Sequence, residues 1–276
     1  MAEYLRPHRL EEALGVLQRP FTVLAGGTDF YPARVGRSID EDVLDISAIA
    51  DLRGIARGPA GWRLGATTTW GELIAADLPP LFDGLKQAAR EVGGRQIQNA
   101  GTIAGNLCNA SRAADGVPPL LALGAEVEIA SRTGARRVPL ATFITGNRRT
   151  VLMPGELVVA IHVPEPAHAA KSAFLKLGAR RYLVISIVMA AATLEIADGR
   201  IVCARVAVGA CSTVAQRLPA LEAALAGAVL DAGLGGKVEP GHLAPLAPID
   251  DVRGSAGYRT DAALTVLRRL LQGFAP

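Results

Sequence analysis

The chain has 276 residues, half of them hydrophobic and a fifth charged, with 30 glycines and 17 prolines, which leaves room for one large domain or two to three modest ones and excludes disordered, collagen-like and coiled-coil classes. Lys and Arg exceed Asp and Glu by only 29 to 26, and the basic residues are scattered, so there is no electrostatic footprint for nucleic acid. The three cysteines, without C-x-x-C spacing, supply neither the thiolates of an iron–sulfur cluster nor a disulfide framework.

In chain order, Met1 to Ala13 carries Glu3, Arg6, Arg9, Glu11 and Glu12 and no apolar segment, a pattern unlike a secretory signal, so the expected location is the cytoplasm. Leu10, Ala13, Leu14 and Leu17 recur at helical spacing and predict a helix over Arg9 to Gln18. Phe21 to Leu24 reads as a short strand that breaks at Ala25-Gly26-Gly27-Thr28-Asp29, and Val43 to Ile46 reads as another. Trp62 to Ala66 is a further strand; Thr69 then offers an N-cap for a helix from Trp70 to Ala76. A helix over Leu81 to Val92 precedes a glycine- and amide-rich stretch from Gly93 to Asn109, to which periodicity assigns no element. Pro118 to Leu123 reads as helix, Glu126 to Ser131 and Leu157 to Val163 as strands.

Glu165-Pro166-Ala167-His168-Ala169 has the composition of a connection, placing a boundary near residue 170. Beyond it, Ala173 to Leu177, Ile185 to Ile196 and Arg200 to Val208 are β-rich, with Asp198-Gly199 a hairpin turn, and helices follow over Leu218 to Ala226 and Asp261 to Leu271. The longest apolar run, Leu183 to Leu194, falls short of the roughly 20 residues of a membrane span. The fold class is therefore α+β.

His8, His162, His168 and His242 show no metal spacing and no adjacent nucleophile, and read as surface or capping residues. Chemistry concentrates instead in two loops, Leu24 to Asp29 and Gly101-Thr102-Ile103-Ala104-Gly105-Asn106. Glycine lacks Cβ and tolerates φ > 0, so successive N–H groups can converge into a concavity for a pyrophosphate. Each loop taken singly also fits an ordinary turn; the two together favour phosphate binding. Neither has the G-x-G-x-x-G spacing of the doubly wound dinucleotide fold, and no Walker A loop is present.

The second loop, continuing through Leu107-Cys108-Asn109-Ala110-Ser111 and Ala113-Ala114-Asp115 to Pro118 and Leu120, resembles the second flavin motif of the medium subunit of molybdenum hydroxylases. That family includes aerobic carbon monoxide dehydrogenase, xanthine dehydrogenase and bacterial dehydrogenases of N-heteroaromatic compounds. Ala25 to Asp29 is similar to its first motif, Tyr4 to Pro7 with Leu10 to Leu14 to its opening, and Asp250 to Ser255 with Tyr258-Arg259 to its C-terminal signature. The resemblance thus spans the whole chain. Ala104 replaces a common glycine, Arg112 stands where proline is frequent, and Cys211 to Pro219 follows the family pattern only loosely.

The resemblance implies a two-part FAD-binding domain of the p-cresol methylhydroxylase type over residues 1–170 (subdomains 1–55 and 56–170), followed over 171–276 by an antiparallel sheet with helices, the flavoprotein C-terminal domain. It implies FAD bound non-covalently, with Ala25, Gly26, Gly27, Thr28 and Asp29 on one side of the diphosphate and Thr102, Gly105 and Asn106 on the other. Asp115 falls at a cofactor hydrogen-bonding position, Val158 against the isoalloxazine and Lys176 near its pyrimidine end, where a cation favours reduction. From the residues alone, Asp29 and Asp115 also fit turn or cap roles, Lys176 a solvated strand lysine and Val158 plain core.

The resemblance further implies a small subunit with two [2Fe–2S] clusters and a large molybdopterin subunit, as a heterotrimer that can double to a hexamer. A substrate, CO or a small molecule such as an N-heteroaromatic, would be oxidised at molybdenum, and electrons would leave through this chain to an external acceptor. The rivals are a self-sufficient FAD oxidoreductase of the same superfamily and a non-catalytic nucleotide-binding module.

Overall fold

A computed structural model describes residues 2–275. Strand β1 (Tyr4–Leu5), helix α1 (Leu10–Val16), β2 (Thr22–Leu24) and β3 (Val43–Asp45) form the first unit, a parallel sheet in the order β1-β3-β2. Every residue of β3 is buried. Ala13, Leu14 and Leu17, the apolar stripe of the first helical pattern, pack on Leu44, Ile46 and Ile49, and this core is completed by Leu157 and Val159 from much later in the chain.

The second unit holds β4 (Ile55–Gly58), β5 (Gly61–Gly65), α2 (Trp70–Ala75), α3 (Asp83–Glu91), α4 (Arg95–Ala100), α5 (Ile103–Asn109), α6 (Val117–Ala122), β6 (Glu126–Ser131), β7 (Gly134–Pro139), α7 (Leu140–Phe143), β8 (Ile144–Gly146), β9 (Arg149–Thr150) and β10 (Leu157–Pro164). Its main sheet is antiparallel, in the order β4-β5-β10-β6-β7. Helices cover one face, burying Trp70, Phe82, Leu85, Ile103, Leu107 and Leu120 against Val127, Ile129 and Ile161. Thr69 does cap α2: its hydroxyl accepts from the Glu72 N–H at 3.2 Å while the Glu72 carboxylate accepts from the Thr69 N–H at 2.8 Å. On the other sheet face, His162 is half-buried and meets the Glu128 carboxylate at 2.5 Å, so it is neither a surface nor a capping residue.

The third unit is an antiparallel sheet, β11 (Ala169–Leu177), β12 (Val188–Ala197), β13 (Arg200–Gly209) and β14 (Gln216–Arg217), with α8 (Pro219–Leu225) and the long α9 (Ala256–Gln272). Val188, Leu194, Val206 and Val208 pack with Val266, Leu267 and Leu270 of α9. The opposite face receives α3 and α6 of the second unit, where Ala88 and Ala122 meet Phe174, Met189 and Ala191. Residues Val188 to Glu195 are consequently all buried, which is why this strand reads as a continuous apolar run rather than an alternating one. Gly84 brings α3 onto the β11 backbone; a Cβ there would lie 2.9 Å from the Ala173 carbonyl.

The architecture is the expected α+β arrangement, a two-part nucleotide-binding fold followed by an antiparallel sheet with helices. Three local readings change. The glycine- and amide-rich stretch holds two helices, α4 and α5. Strand β12 starts at Val188, three residues after the expected Ile185. Helix α9 starts at Ala256, its Ser255 cap accepting from the Tyr258 N–H at 3.2 Å. Among the described residues, no helix is long and apolar enough to cross a membrane.

Candidate functional site

A cleft of about 660 Å³ runs between the first and second units, within the size range of small-molecule and cofactor sites. Its walls are the two loops that stood out in the sequence. Ala25, Gly26, Gly27, Thr28 and Asp29, at the C-terminal end of β2, face Thr102, Gly105 and Asn106 at the start of α5; Val158 on β10 closes one end.

Glycine is required where these loops meet. A Cβ on Gly26 would stand 1.9 Å from the Ala100 carbonyl oxygen, and Gly27 has φ +70°. The second loop is fixed from behind: the Trp70 N–H donates to the Gly101 carbonyl at 3.1 Å and the Ile103 N–H to the Thr68 carbonyl at 3.0 Å. Thr102 caps α5, its hydroxyl accepting from the Gly105 N–H at 3.1 Å. Ala104, where a glycine is common in the resembling family, is buried within this helix and costs no special backbone conformation.

Among the described residues, the N–H groups of Gly26, Gly27, Thr28 and Asp29 donate to no protein acceptor, and the Ala104 N–H has none either. Asn106 Oδ1 is buried without a hydrogen-bond partner. Unpaired donors on residues that line one cleft suit an anionic, oxygen-rich ligand, and an orphaned buried carbonyl suits a hydroxyl or imide donor. The residues present therefore fit a dinucleotide flavin: amides for a diphosphate, a buried acceptor for a polar donor, and Val92, Ile97, Trp70 and Val158 as apolar walls.

Asp115 and Lys176 do not line this cleft. They pair with each other, Lys176 Nζ to Asp115 Oδ2 at 2.6 Å, with side chains only 6% and 9% exposed. Ser186 donates to the other Asp115 oxygen at 2.5 Å. Burial pushes the Asp115 carboxyl up from its ordinary value, against the pull of Lys176 and Ser186. The pair lies where the second and third units meet, and it borders the cleft through Gly116, where a Cβ would stand 2.8 Å from Asn106 Oδ1. Cys108 lines the cleft; Arg112 does not.

Several lining residues carried no signal in the sequence. Arg148, with φ +60°, donates to the Asn109 carbonyl at 3.2 Å and to its side chain, tying the β8–β9 turn to the end of α5. Arg34 lies over the Phe30 ring, 3.7 Å from its centroid, and both line the cleft. The one available hint for Arg148 was a basic pair in a glycine-containing turn.

A cleft lined by two facing glycine loops, one from each of the first two units, has the form of a dinucleotide-binding site. Residues 1–166 match the family model described as the FAD binding domain in molybdopterin dehydrogenase, and residues 173–274 match the CO dehydrogenase flavoprotein C-terminal domain. The chain is 31% identical to the carbon monoxide dehydrogenase medium chain of Afipia carboxidovorans, over 98% of this chain and 95% of that one. It is 30% identical to the xanthine dehydrogenase FAD-binding subunit of Escherichia coli O157:H7, over 98% and 94%. A structure of reconstituted CO dehydrogenase from Oligotropha carboxidovorans superposes with a TM-score of 0.89 at 29% identity, covering 100% of this chain and 99% of that one. The chain belongs to the FAD-binding medium subunits of the molybdenum hydroxylases.

Proposed function

We propose that the cleft holds one non-covalent FAD with its diphosphate between Ala25–Asp29 and Thr102–Asn106, and that the chain is the electron exit port of a molybdenum hydroxylase. The observation that carries this is the pair of facing loops, with four unpaired amides on Gly26 to Asp29, that of Ala104 on the second loop, and Gly26 pressed against the Ala100 carbonyl. When bound there, FAD supplies a carrier that accepts electrons from one-electron centres and releases them singly or in pairs. The chain's own residues do the rest. The amides hydrogen-bond the diphosphate in place of water, Val158 and Val92 keep water from the ring faces, and Asn106 accepts a hydrogen bond at a buried carbonyl. Lys176, paired with an Asp115 that Ser186 holds from its other oxygen, keeps a buried ion pair at the second unit's edge, where its cation would favour negative charge on the ring's pyrimidine end.

On this reading the domains divide at residues 1–55, 56–170 and 171–276, close to the divisions between the three larger sheets, with the boundaries falling at the first residues of β4 and β11. The partners are a small [2Fe–2S] subunit and a large molybdopterin subunit in a heterotrimer, doubled to a hexamer, since the cleft accounts for a flavin alone. Three free cysteines suit the reducing cytoplasm. The test is purification of the chain alone and with co-expressed neighbours. The expected result is a yellow chain without turnover of small substrates, gaining dehydrogenase activity only with two further subunits. Turnover by the isolated chain would establish the self-sufficient oxidoreductase instead, and a colourless chain unable to take up FAD would leave only a nucleotide-binding module.

A further inference from the structure

Residues Tyr31 to Asp40 are exposed except for Arg34, whose side chain is only 24% exposed and held on several sides. Its guanidinium bonds the Glu41 carboxylate, donates from Nη1 to the Phe30 carbonyl at 2.8 Å, and lies 3.7 Å from the centroid of the Phe30 ring. Both Arg34 and Phe30 line the cleft, together with Thr22, Val23, Pro32 and Ala33. Stabilising the short segment does not by itself require a planar cation stacked at the mouth of a cleft, since a surface ion pair contributes little. A guanidinium fixed in plane by a carboxylate is, however, well arranged to stack on a flat aromatic ligand and to attract its phosphates.

We propose that Arg34, stacked on Phe30 and oriented by Glu41, binds the adenosine diphosphate half of the cofactor, so that the cleft holds FAD more tightly than riboflavin, which lacks that half. This rests on the FAD reading above. With the diphosphate between the two cradles, Thr22, Val23, Phe30 and Arg34, which line the cleft on the β2 side, remain to meet the adenosine half. Riboflavin lacks both the phosphates and the purine, and so has no group to offer the guanidinium there. Arg34 contacts cofactor; Glu41 is a positioning residue.

The experiment is titration of the full-length chain with FAD and with riboflavin, followed by quenching of flavin fluorescence, and competition of bound FAD by ADP. Arg34→Ala is expected to weaken FAD and ADP about tenfold while leaving riboflavin within twofold. Arg34→Lys, which keeps the charge but loses the planar fork, is expected to fall between the two. Equal weakening of FAD and riboflavin, or no weakening of either, overturns the proposal. Should Arg34→Ala fail to fold, Arg34→Gln decides in the same way: a lower FAD-to-riboflavin affinity ratio supports the role and an unchanged ratio overturns it. Failure of the unmodified chain to take up FAD would overturn the reading of the cleft as a whole, whereas uptake with an unchanged ratio in the variants overturns only the assignment of Arg34.

Discussion

Replacing Gly26 by Ala tests whether the two loops form one cradle. The added Cβ would lie 1.9 Å from the Ala100 carbonyl oxygen, 2.6 Å from its carbon and 3.0 Å from Gly101 Cα. All three are main-chain atoms, so no side chain can swing away, and ordinary contact requires the loops to part by about 1.5 Å. The second loop cannot retreat freely, because its Gly101 carbonyl and Ile103 N–H are bonded to Trp70 and Thr68 at 3.1 and 3.0 Å. Overpacking with partial loss of such a bond costs about 2–3 kcal/mol. A displacement of that size also takes cradle amides beyond hydrogen-bonding distance of a diphosphate, and losing two charge-assisted bonds of about 1.5 kcal/mol each weakens FAD on the order of 100-fold. Urea unfolding of the flavin-free chain and fluorescence titration with FAD measure the two effects separately. Gly15→Ala is the control, since nothing lies within 4 Å of its added Cβ inside α1; it is expected to stabilise the chain by about 0.5–1 kcal/mol. An unmoved urea midpoint for Gly26→Ala, with FAD affinity within threefold of the unmodified chain, would refute the cradle.

Removing Lys176 as Lys176→Met strands a buried carboxylate, so the chain is expected to lose about 3–5 kcal/mol in urea unfolding, and the double change Lys176→Met/Asp115→Leu to regain most of it; a single variant as stable as the original would show that the pair is solvated. Tyr4 donates to Asp45 at 2.5 Å, and this hydrogen bond, more than burial, pushes its hydroxyl from 10.0 up to about 12. The neutral phenol is favoured in the folded chain, so its contribution is fully present below about pH 10 and is lost as pH rises toward 12. The stability gap between the original chain and Tyr4→Phe, measured by urea unfolding, is therefore expected to close over that interval; a gap that stays constant would disprove the linkage.

How far the sequence could be read depended on whether an element's partners were near or far. Helix α1 and strand β6 were legible because each carries its own apolar pattern, and Thr69 because its cap partner Glu72 is three residues away. Helix α4 buries no residue at all, so no periodicity could announce it. Helix α5 is held by Thr102 and by the reach of its Ile103 N–H to Thr68, a contact spanning 35 positions. Ile185 and Ser186 look like strand but belong to a loop, since Ser186 bonds Asp115 across 71 positions and Ile185 is exposed. The parallel pairing of β1, β3 and β2 left no local mark either. The two glycine loops were visible as motifs, but their facing each other was not, because that depends on Gly26 meeting Ala100. Asp115 and Lys176 were set beside the cofactor by family resemblance; their bond to each other across 61 positions emerged only from the fold.

That bond links the cleft to the third unit. Asp115 follows the second cradle by nine residues, while Lys176 and Ser186 stand at the two ends of the exposed segment between β11 and β12. Ser172 reinforces the junction, its hydroxyl donating to the Leu81 carbonyl at 2.6 Å and accepting from the Gly84 N–H at 2.8 Å. The third unit contributes no residue to the cleft lining, yet it supplies both partners of the carboxylate nearest Asn106. Without it, Asp115 would lose both hydrogen-bond partners, Ala88 and Ala122 would lose the apolar surface they pack on, and the segment from Asn106 to Gly116 would lose the contacts that fix it. The C-terminal sheet is thus a structural requirement of the cleft, and a chain cut after β10 is expected to bind FAD poorly even though every lining residue remains.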